Sequence, residues 1–246
     1  MTTERARSFG AAADDYDRLR PAPAAEALRW LVPSPQSRVL DLAAGTGLVT
    51  RALAAEGVHD VVAVEPDDAM RAVLTARSPG VRALAGTAEE IPLPDGSVDV
   101  VLAASAWHWF DAERAATEIA RVLRPGGVLG LVWSYSDPDT DWVADLRRIG
   151  RAEAQGSASL IRSGLSLEMP AGAPFGTGES RVFRRSAWMA AQDVAAMLGT
   201  YSSVLTLPAA ERCDVQRRAR ALLTERVGTD PVLVPFVTGA FRTLRS

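Results

Sequence analysis

Three observations predict an α/β fold: a doubly wound, seven-stranded, mostly parallel sheet with a helical C-terminal cover. Short apolar runs alternate with helical patterns between Arg38 and Ser134, a small-residue turn joins the first run to the first helix, and acids mark the first two runs. Strands are predicted at Val39–Leu42, Val61–Val64, Val81–Ala85, Val98–Ala103 and Val128–Val132. Their compact apolar character suits a parallel sheet covered on both faces. The helices between them are Leu48–Glu56, Ala69–Ala76 and Arg114–Leu123, the last closed by the turn signal Arg124-Pro125-Gly126-Gly127. Repeated β-α units of this kind wind a sheet in two directions.

Upstream, Pro23–Leu31 reads as a helix after a more polar segment, Phe9–Arg20. Downstream, Trp142–Gln155 reads as a helix and Gly156–Gly178, rich in Gly, Ser and Pro, as a loop. A strand at Arg181–Ala187, helices at Ala191–Leu198 and Ala209–Val227 and a final strand at Val232–Leu244 complete the pattern. With no repeat, dividing linker or low-complexity tail, one domain over residues 1–246 is expected. It comprises N-terminal lid helices (1–37), a cofactor-binding core (38–134) and an acceptor-side cover with the final strands (135–246).

Composition narrows the function. At 246 residues and a formal charge of −3, the chain lacks the basic surface that a nucleic-acid substrate normally requires. Every basic residue apart from histidine is arginine, so lysine chemistry is excluded. One cysteine, Cys213, and two histidines, His59 and His108, exclude an internal disulfide and argue against a Cys- or His-rich metal centre. Met1 to Gly10 lacks the apolar stretch of a signal peptide, and nothing approaches an apolar run of about twenty residues. A cytoplasmic protein without a membrane span is expected; the oligomeric state is left open.

The run Val39-Leu40-Asp41-Leu42-Ala43-Ala44-Gly45-Thr46-Gly47-Leu48 carries the most information. Gly45 and Gly47 permit close backbone approach. Asp41 stands four residues before Gly45, and Glu65 follows the second strand, twenty residues after Gly45, where doubly wound folds grip ribose hydroxyls. A nicotinamide-dependent dehydrogenase is the rival reading. Its fingerprint wants a small residue where this chain has Thr50, and its pyrophosphate would be repelled by Asp41. S-adenosylmethionine (SAM) carries an ammonium and a sulfonium and no phosphate, so the charge logic selects it. Taken singly, Asp41 could stabilise the turn and Glu65 could cap a helix.

Val39–Gly47 resembles motif I of class I SAM-dependent methyltransferases, and Val61–Pro66 resembles their ribose-binding strand. Gly86-Thr87-Ala88-Glu89-Glu90-Ile91-Pro92 resembles their adenine-side loop, Ser97–Val101 their fourth strand and Leu123–Gly127 the motif before strand five. The resemblance covers residues 38–134 and implies a Rossmann-like methyltransferase fold. It implies that Asp41, Ala43, Gly45 and Gly47 surround the methionine part, that Glu65 holds the ribose, and that Thr87 and Ala88 flank the adenine. Many relatives have aspartate at Thr87, which leaves a weaker contact there.

After the fourth strand, Trp107-His108-Trp109-Phe110-Asp111 sits where the carboxyl ends of central strands face a ligand crevice. Phe110 and Asp111 read as the anchor and N-cap of the next helix; Trp107 and His108 read as pocket lining. His-Trp-Phe resembles the trans-aconitate methyltransferase-like group; small-molecule carboxyl methyltransferases of other subfamilies also place a His-Trp or Gln-Trp pair after this strand, where its polar groups hold the acceptor carboxylate, so Trp109 is also expected at the acceptor. Phe9-Gly10, Tyr16 and Arg20-Pro21 look like the lid segment of such proteins, with Tyr16 and Arg20 near the cofactor or simply packing a surface helix. Tyr201 is expected at the acceptor too, and the arginines of 209–227 as a solvated face.

The reading is methyl transfer from SAM to a small-molecule acceptor, a carboxylic acid first, with S-adenosylhomocysteine as product and His108 as donor or base. The alternatives are transfer to carbon, oxygen or nitrogen of a quinone, sterol or secondary metabolite, and a non-catalytic SAM-binding regulator.

Overall fold

The computed structural model describes residues 13–150, 169–228 and 230–246. Seven strands form one sheet in the order β3-β2-β1-β4-β5-β7-β6. They are β1 (Val39–Leu42), β2 (Val61–Val64), β3 (Arg82–Leu84), β4 (Val98–Ala104), β5 (Leu123–Ser136), β6 (Glu179–Met189) and β7 (Val232–Leu244). The helices are α1 (Ala13–Leu19), α2 (Ala25–Leu31), α3 (Leu48–Ala55), α4 (Asp68–Arg77), α5 (Ala112–Val122), α6 (Asp141–Ile149), α7 (Ala191–Met197), α8 (Ser202–Leu205) and α9 (Ala209–Arg226). β1 to β5 pair in parallel. β7 returns antiparallel to β5, since Gly126 N–H donates to Arg245 O and Asp137 N–H to Pro235 O.

The described residues fall into two compact units, and β5, β6 and β7 contribute residues to both. The first takes the described residues of Ala22–Ser134, Gly156–Phe183 and Thr238–Ser246. Alternation along its strands sends side chains to two apolar layers. Leu40, Leu42, Val101, Ala103, Leu129 and Leu131 pack with Ala115, Ile119 and Val122 of α5. Val39, Val61, Val100, Leu102 and Val132 pack with Leu28 and Leu31 of α2 and Val49 and Leu53 of α3. With both faces covered, β1 and β2 bury completely, as their uninterrupted apolar runs require, whereas β3 at the sheet edge is exposed to half-buried. The strand order reverses between β1 and β4, the switch point at which open α/β sheets bind ligands.

The second unit takes the described residues of Met1–Pro21, Tyr135–Gln155 and Arg184–Val237. Its core joins Leu19 of α1, Leu146 of α6, Val194 and Met197 of α7 and Val215, Ala219 and Leu223 of α9 to Val232, Val234 and Phe236 of β7. The α9 residues follow helical spacing, and Arg217, Arg218 and Arg220 lie on the other faces, whereas Arg212 and Arg226 fall at the two ends of the buried stripe. Arg218 pairs with Asp214 at 3.9 Å, whereas Arg226 reaches Asp145 of α6 at 2.8 Å.

One local expectation needs correction. Arg124-Pro125-Gly126-Gly127 does not end the helix in a separate turn. Val98 pairs with Leu123 and Val100 with Val128, so the four residues bulge out within β5, pinned by Arg245 to Gly126 and Gly127. The polar segment before α2 contains a helix, α1, whose Ala13 and Leu19 are buried. Tyr201 precedes helix α8 as its N-cap residue and follows a 3₁₀ turn, Leu198–Thr200. Phe9 and Gly10 of the expected lid, residues 151–155 of the expected helix and 156–168 of the expected loop lie outside the described residues.

Among the described residues, no helix is long and apolar enough to cross a membrane, and no group of His, Cys, Asp or Glu is placed to hold a metal ion.

Candidate functional site

Asp41 is the third residue of β1, paired in register with Ala63 of β2 and Leu102 of β4. Strand alternation turns its side chain away from Leu40 and Leu42 toward α3, where Oδ2 accepts a 2.6 Å hydrogen bond from the Thr50 hydroxyl. Oδ1 is buried with no hydrogen-bond partner. Burial raises the carboxyl pKa to about 6, against the lowering effects of Thr50 and Arg51. A buried carboxylate oxygen without a donor is costly, so Asp41 Oδ1 can take a further hydrogen-bond donor.

Beyond β1 the chain enters a strained turn. Ala43, Gly45 and Gly47 all have positive φ, at 55°, 58° and 84°. For Ala43 this is a costly region, of the kind concentrated at ligand-binding loops. At Gly47 a side chain would also be blocked, because a Cβ there would lie 2.9 Å from Leu74 Cγ and 3.3 Å from Ser78 Oγ.

Glu65, the first residue beyond β2, is buried and ties this turn to the next one. Its Oε2 accepts from Gly45 N–H and its Oε1 from Asp67 N–H, each at 2.8 Å. Burial raises its pKa, and the two backbone hydrogen bonds oppose that rise. Glu65 is not a helix cap: Asp67 caps α4 by accepting from Ala69 and Met70 N–H. Each Glu65 oxygen keeps a further lone pair.

The third segment, 86–93, is fixed from α5. Arg121 donates to the carbonyls of Ile91 and Leu93, and Glu118 accepts from Ile91 N–H. Thr87 is exposed and pairs with Glu90 through the backbone, and Ala88 is buried in the core. Asp41 stands next to the last residue of β1, and Glu65 and Thr87 follow β2 and β3, so all three lie at the carboxyl ends of three adjacent strands, where open α/β sheets bind ligands.

After β4, Ser105 has a positive φ of 51° and its N–H donates to Val132 O of β5. Trp107–Trp109 form a 3₁₀ turn. Trp107 is buried in the core, edge-on to Phe110 with centroids 5.9 Å apart, while His108 is exposed and Trp109 half-buried. The His108 and Trp109 rings lie 4.7 Å apart. Partial burial lowers the His108 pKa, so its imidazole is neutral at neutral pH. Asp111 accepts from Arg114 N–H and caps α5, and Phe110 packs against the core.

Tyr16, Arg20 and Tyr201 belong to the second unit, where they form a cluster of their own. The Arg20 guanidinium carbon lies 4.3 Å from the Tyr201 ring centroid and 5.2 Å from that of Tyr16.

Residues 40–131 match the family model described as a methyltransferase domain. The chain is 42% identical over 239 residues to an uncharacterized methyltransferase of Mycobacterium tuberculosis, covering 96% of this chain and 94% of that one. The chain belongs to the class I methyltransferase family. A solved structure from Anaeromyxobacter dehalogenans, described as a type II methyltransferase, is similar at 28% identity and a TM-score of 0.69, covering 92% of this chain and 97% of that one. A partial likeness, 37% over 156 residues, links the chain to malonyl-acyl-carrier-protein O-methyltransferase of Methylococcus capsulatus, covering 59% of this chain and 55% of that one.

Within this methyltransferase, Thr50 is the participant that sequence reasoning passed over. It marked the departure from the dehydrogenase fingerprint, but only the fold shows its hydroxyl on Asp41. Thr50→Val removes one of the influences that lower the Asp41 pKa, so that pKa should rise above about 6. Below its folded pKa Asp41 retains a proton that the unfolded chain releases, so stability falls with rising pH until that pKa is passed. Thermal denaturation of the variant should keep losing stability above pH 6, where the wild-type contribution levels off. Superimposable pH profiles would remove the hydroxyl from control of Asp41.

Proposed function

We propose that this methyltransferase transfers a methyl group from SAM to a small organic acceptor, a carboxylic acid before other classes, yielding a methyl ester and S-adenosylhomocysteine. Asp41 carries the cofactor half of this reading. Its buried, unpartnered Oδ1 lies on the strand leading into a turn whose two glycines are left-handed. An ammonium supplies the missing donor, whereas the pyrophosphate of a nicotinamide cofactor meets a buried negative charge. The residues present therefore fit SAM.

In this reading Asp41 holds the ammonium, and the backbone at Ala43, Gly45 and Gly47 lies against the methionine part. Glu65 accepts from the ribose hydroxyls through its remaining lone pairs, and Thr87 and Ala88 flank the adenine. When bound, SAM supplies an electrophilic methyl group on a sulfonium.

For a carboxylate acceptor the chain supplies alignment, because an acid of pKa ~4 is already ionised at neutral pH and needs no base. Alignment contributes roughly 7–11 kcal/mol in favourable cases. His108, neutral and exposed beside Trp109, offers a ring N–H to one oxygen of the acceptor, and Trp109 offers its indole edge. The acid preference is supported by the likeness to an O-methyltransferase whose named substrate, a malonyl group, ends in a carboxylate. The same neutral His108 favours a second reading, in which it is the general base for transfer to a hydroxyl, amine or carbon of a quinone, sterol or secondary metabolite.

Incubation with SAM and a panel of carboxylic acids, followed by mass spectrometry, tests the acceptor class. S-adenosylhomocysteine with a methyl ester is expected; products methylated at carbon or nitrogen favour the second reading. His108→Ala should lower kcat about 10- to 100-fold if the imidazole is a hydrogen-bond donor and more if it is a base, with SAM affinity unchanged. Unaltered kinetics would make His108 structural.

A further inference from the structure

Trp133 is a buried indole that packing alone does not account for. It lies in β5 one residue past Val132, which pairs with Ala104 at the end of β4 and whose carbonyl accepts from Ser105 N–H. Trp133 therefore stands at the carboxyl end of the sheet, beside the turn that leads to Trp107–Trp109. Alternation along β5 sends Leu129, Leu131 and Trp133 to the α5 face. There Trp133 is 7% exposed and shares an apolar layer with Trp107 and Phe241. All of these residues belong to the first compact unit.

The indole Nε1 is buried and has no hydrogen-bond partner among the described residues. An indole N–H can only donate, and a buried one normally finds an acceptor. Desolvating it in an apolar layer destabilises the protein, a cost that phenylalanine would avoid and that an oxygen brought by a ligand removes. Asp41 is its counterpart of opposite polarity, an orphan acceptor on the α3 face of β1, with β4 between the two strands. A cation belongs with Asp41; an oxygen belongs with Trp133. We propose that Trp133 is a specificity-determining residue of the acceptor site, its indole N–H donating to a carboxylate oxygen of the acceptor. The inference deepens the methyl-transfer reading and rests on it. A site built around a buried donor rejects analogues that lack the oxygen far more strongly than an apolar pocket rejects a change of size.

Proton–nitrogen NMR of the indole groups in the full chain tests this. The resonance of Trp133 is identified by its loss in Trp133→Phe or, if that variant does not fold, by backbone-linked assignment of the wild type. The probes are S-adenosylhomocysteine alone, then malonate, glutarate and benzoate with S-adenosylhomocysteine present, and benzylamine as the analogue without the oxygen. At least one acid should move the Trp133 indole proton downfield, and benzylamine should not. In calorimetry Trp133→Phe should weaken that acid about tenfold or more and leave S-adenosylhomocysteine affinity unchanged. A shift produced by S-adenosylhomocysteine alone gives the N–H to the cofactor and overturns the acceptor assignment. Acids that leave the resonance unmoved, or that bind the Phe variant as tightly as the wild type, make Trp133 a core residue and overturn the proposal while the cofactor reading stands. Failure of the wild type to bind S-adenosylhomocysteine overturns the methyl-transfer reading instead. Thermal denaturation checks that the variant is folded.

Discussion

Asp41→Asn is expected to stabilise the protein while abolishing high-affinity binding of SAM. The folded state holds this carboxyl at about 6 against an ordinary value of 3.8, a difference of about 3 kcal/mol that opposes folding at neutral pH. The amide carries no charge, although its NH₂ group next to the orphan position offsets about 1 kcal/mol of the gain. A net gain of roughly 2 kcal/mol should raise the melting temperature by about 4–8 °C in a chain of this size. The sign follows from the raised pKa. Wild-type stability falls as pH rises from near 4 to 6 and is level above, so the variant's advantage grows over that window and then stays constant.

Binding runs the other way. A cationic ligand requires ionised Asp41, so wild-type affinity for SAM should weaken as pH falls below about 6, approaching tenfold per pH unit. The Asn variant should bind about 10- to 150-fold more weakly at neutral pH, the value of one charge-assisted hydrogen bond, and lose the pH dependence. Differential scanning fluorimetry and calorimetry across pH 4–8 measure both. A variant that is less stable than wild type and binds SAM normally would make Asp41 a structural acid.

Glu65→Ala should weaken SAM and S-adenosylhomocysteine by about 100-fold or more. In the proposed site, two ribose hydroxyls would lose a charged acceptor, at about 1.5–3 kcal/mol each. The Gly45 N–H also loses its partner, so the glycine turn after β1 is no longer tied to the residue following β2. Glu65→Gln should be nearly as harmful, because its NH₂ group would face a backbone N–H at Gly45 or Asp67. Stability should change little in the alanine variant, since relief of a buried charge opposes the lost hydrogen bonds. Calorimetric affinities equal to wild type would remove Glu65 from the ribose site.

The parallel core was legible because burial on both faces leaves uninterrupted apolar runs. β1 and β2 lie where Val39–Leu42 and Val61–Val64 predict them, and β7 spans Val232–Leu244 as expected. The turn after β1 was legible from its glycines, which are needed at φ values that other residues adopt at a cost. What the sequence hid were choices settled between distant segments. Arg124–Gly127 reads as a helix stop by local chemistry, but pairing on either side of it and Arg245 of β7 make it a bulge. Trp107 and Trp109 look alike in sequence; only packing against Phe110 shows that Trp107 belongs to the core and leaves Trp109 half-buried. Arg20 was visible as a motif residue, whereas its grip on Thr200, far along the chain, was not.

A buried acid beside a glycine turn should select a cationic cofactor. Parallel calorimetric titrations of the purified protein with SAM, S-adenosylhomocysteine and NADH test it most directly. Saturable binding of the first two, with no heat from NADH, is the predicted result. Binding of NADH alone would contradict it.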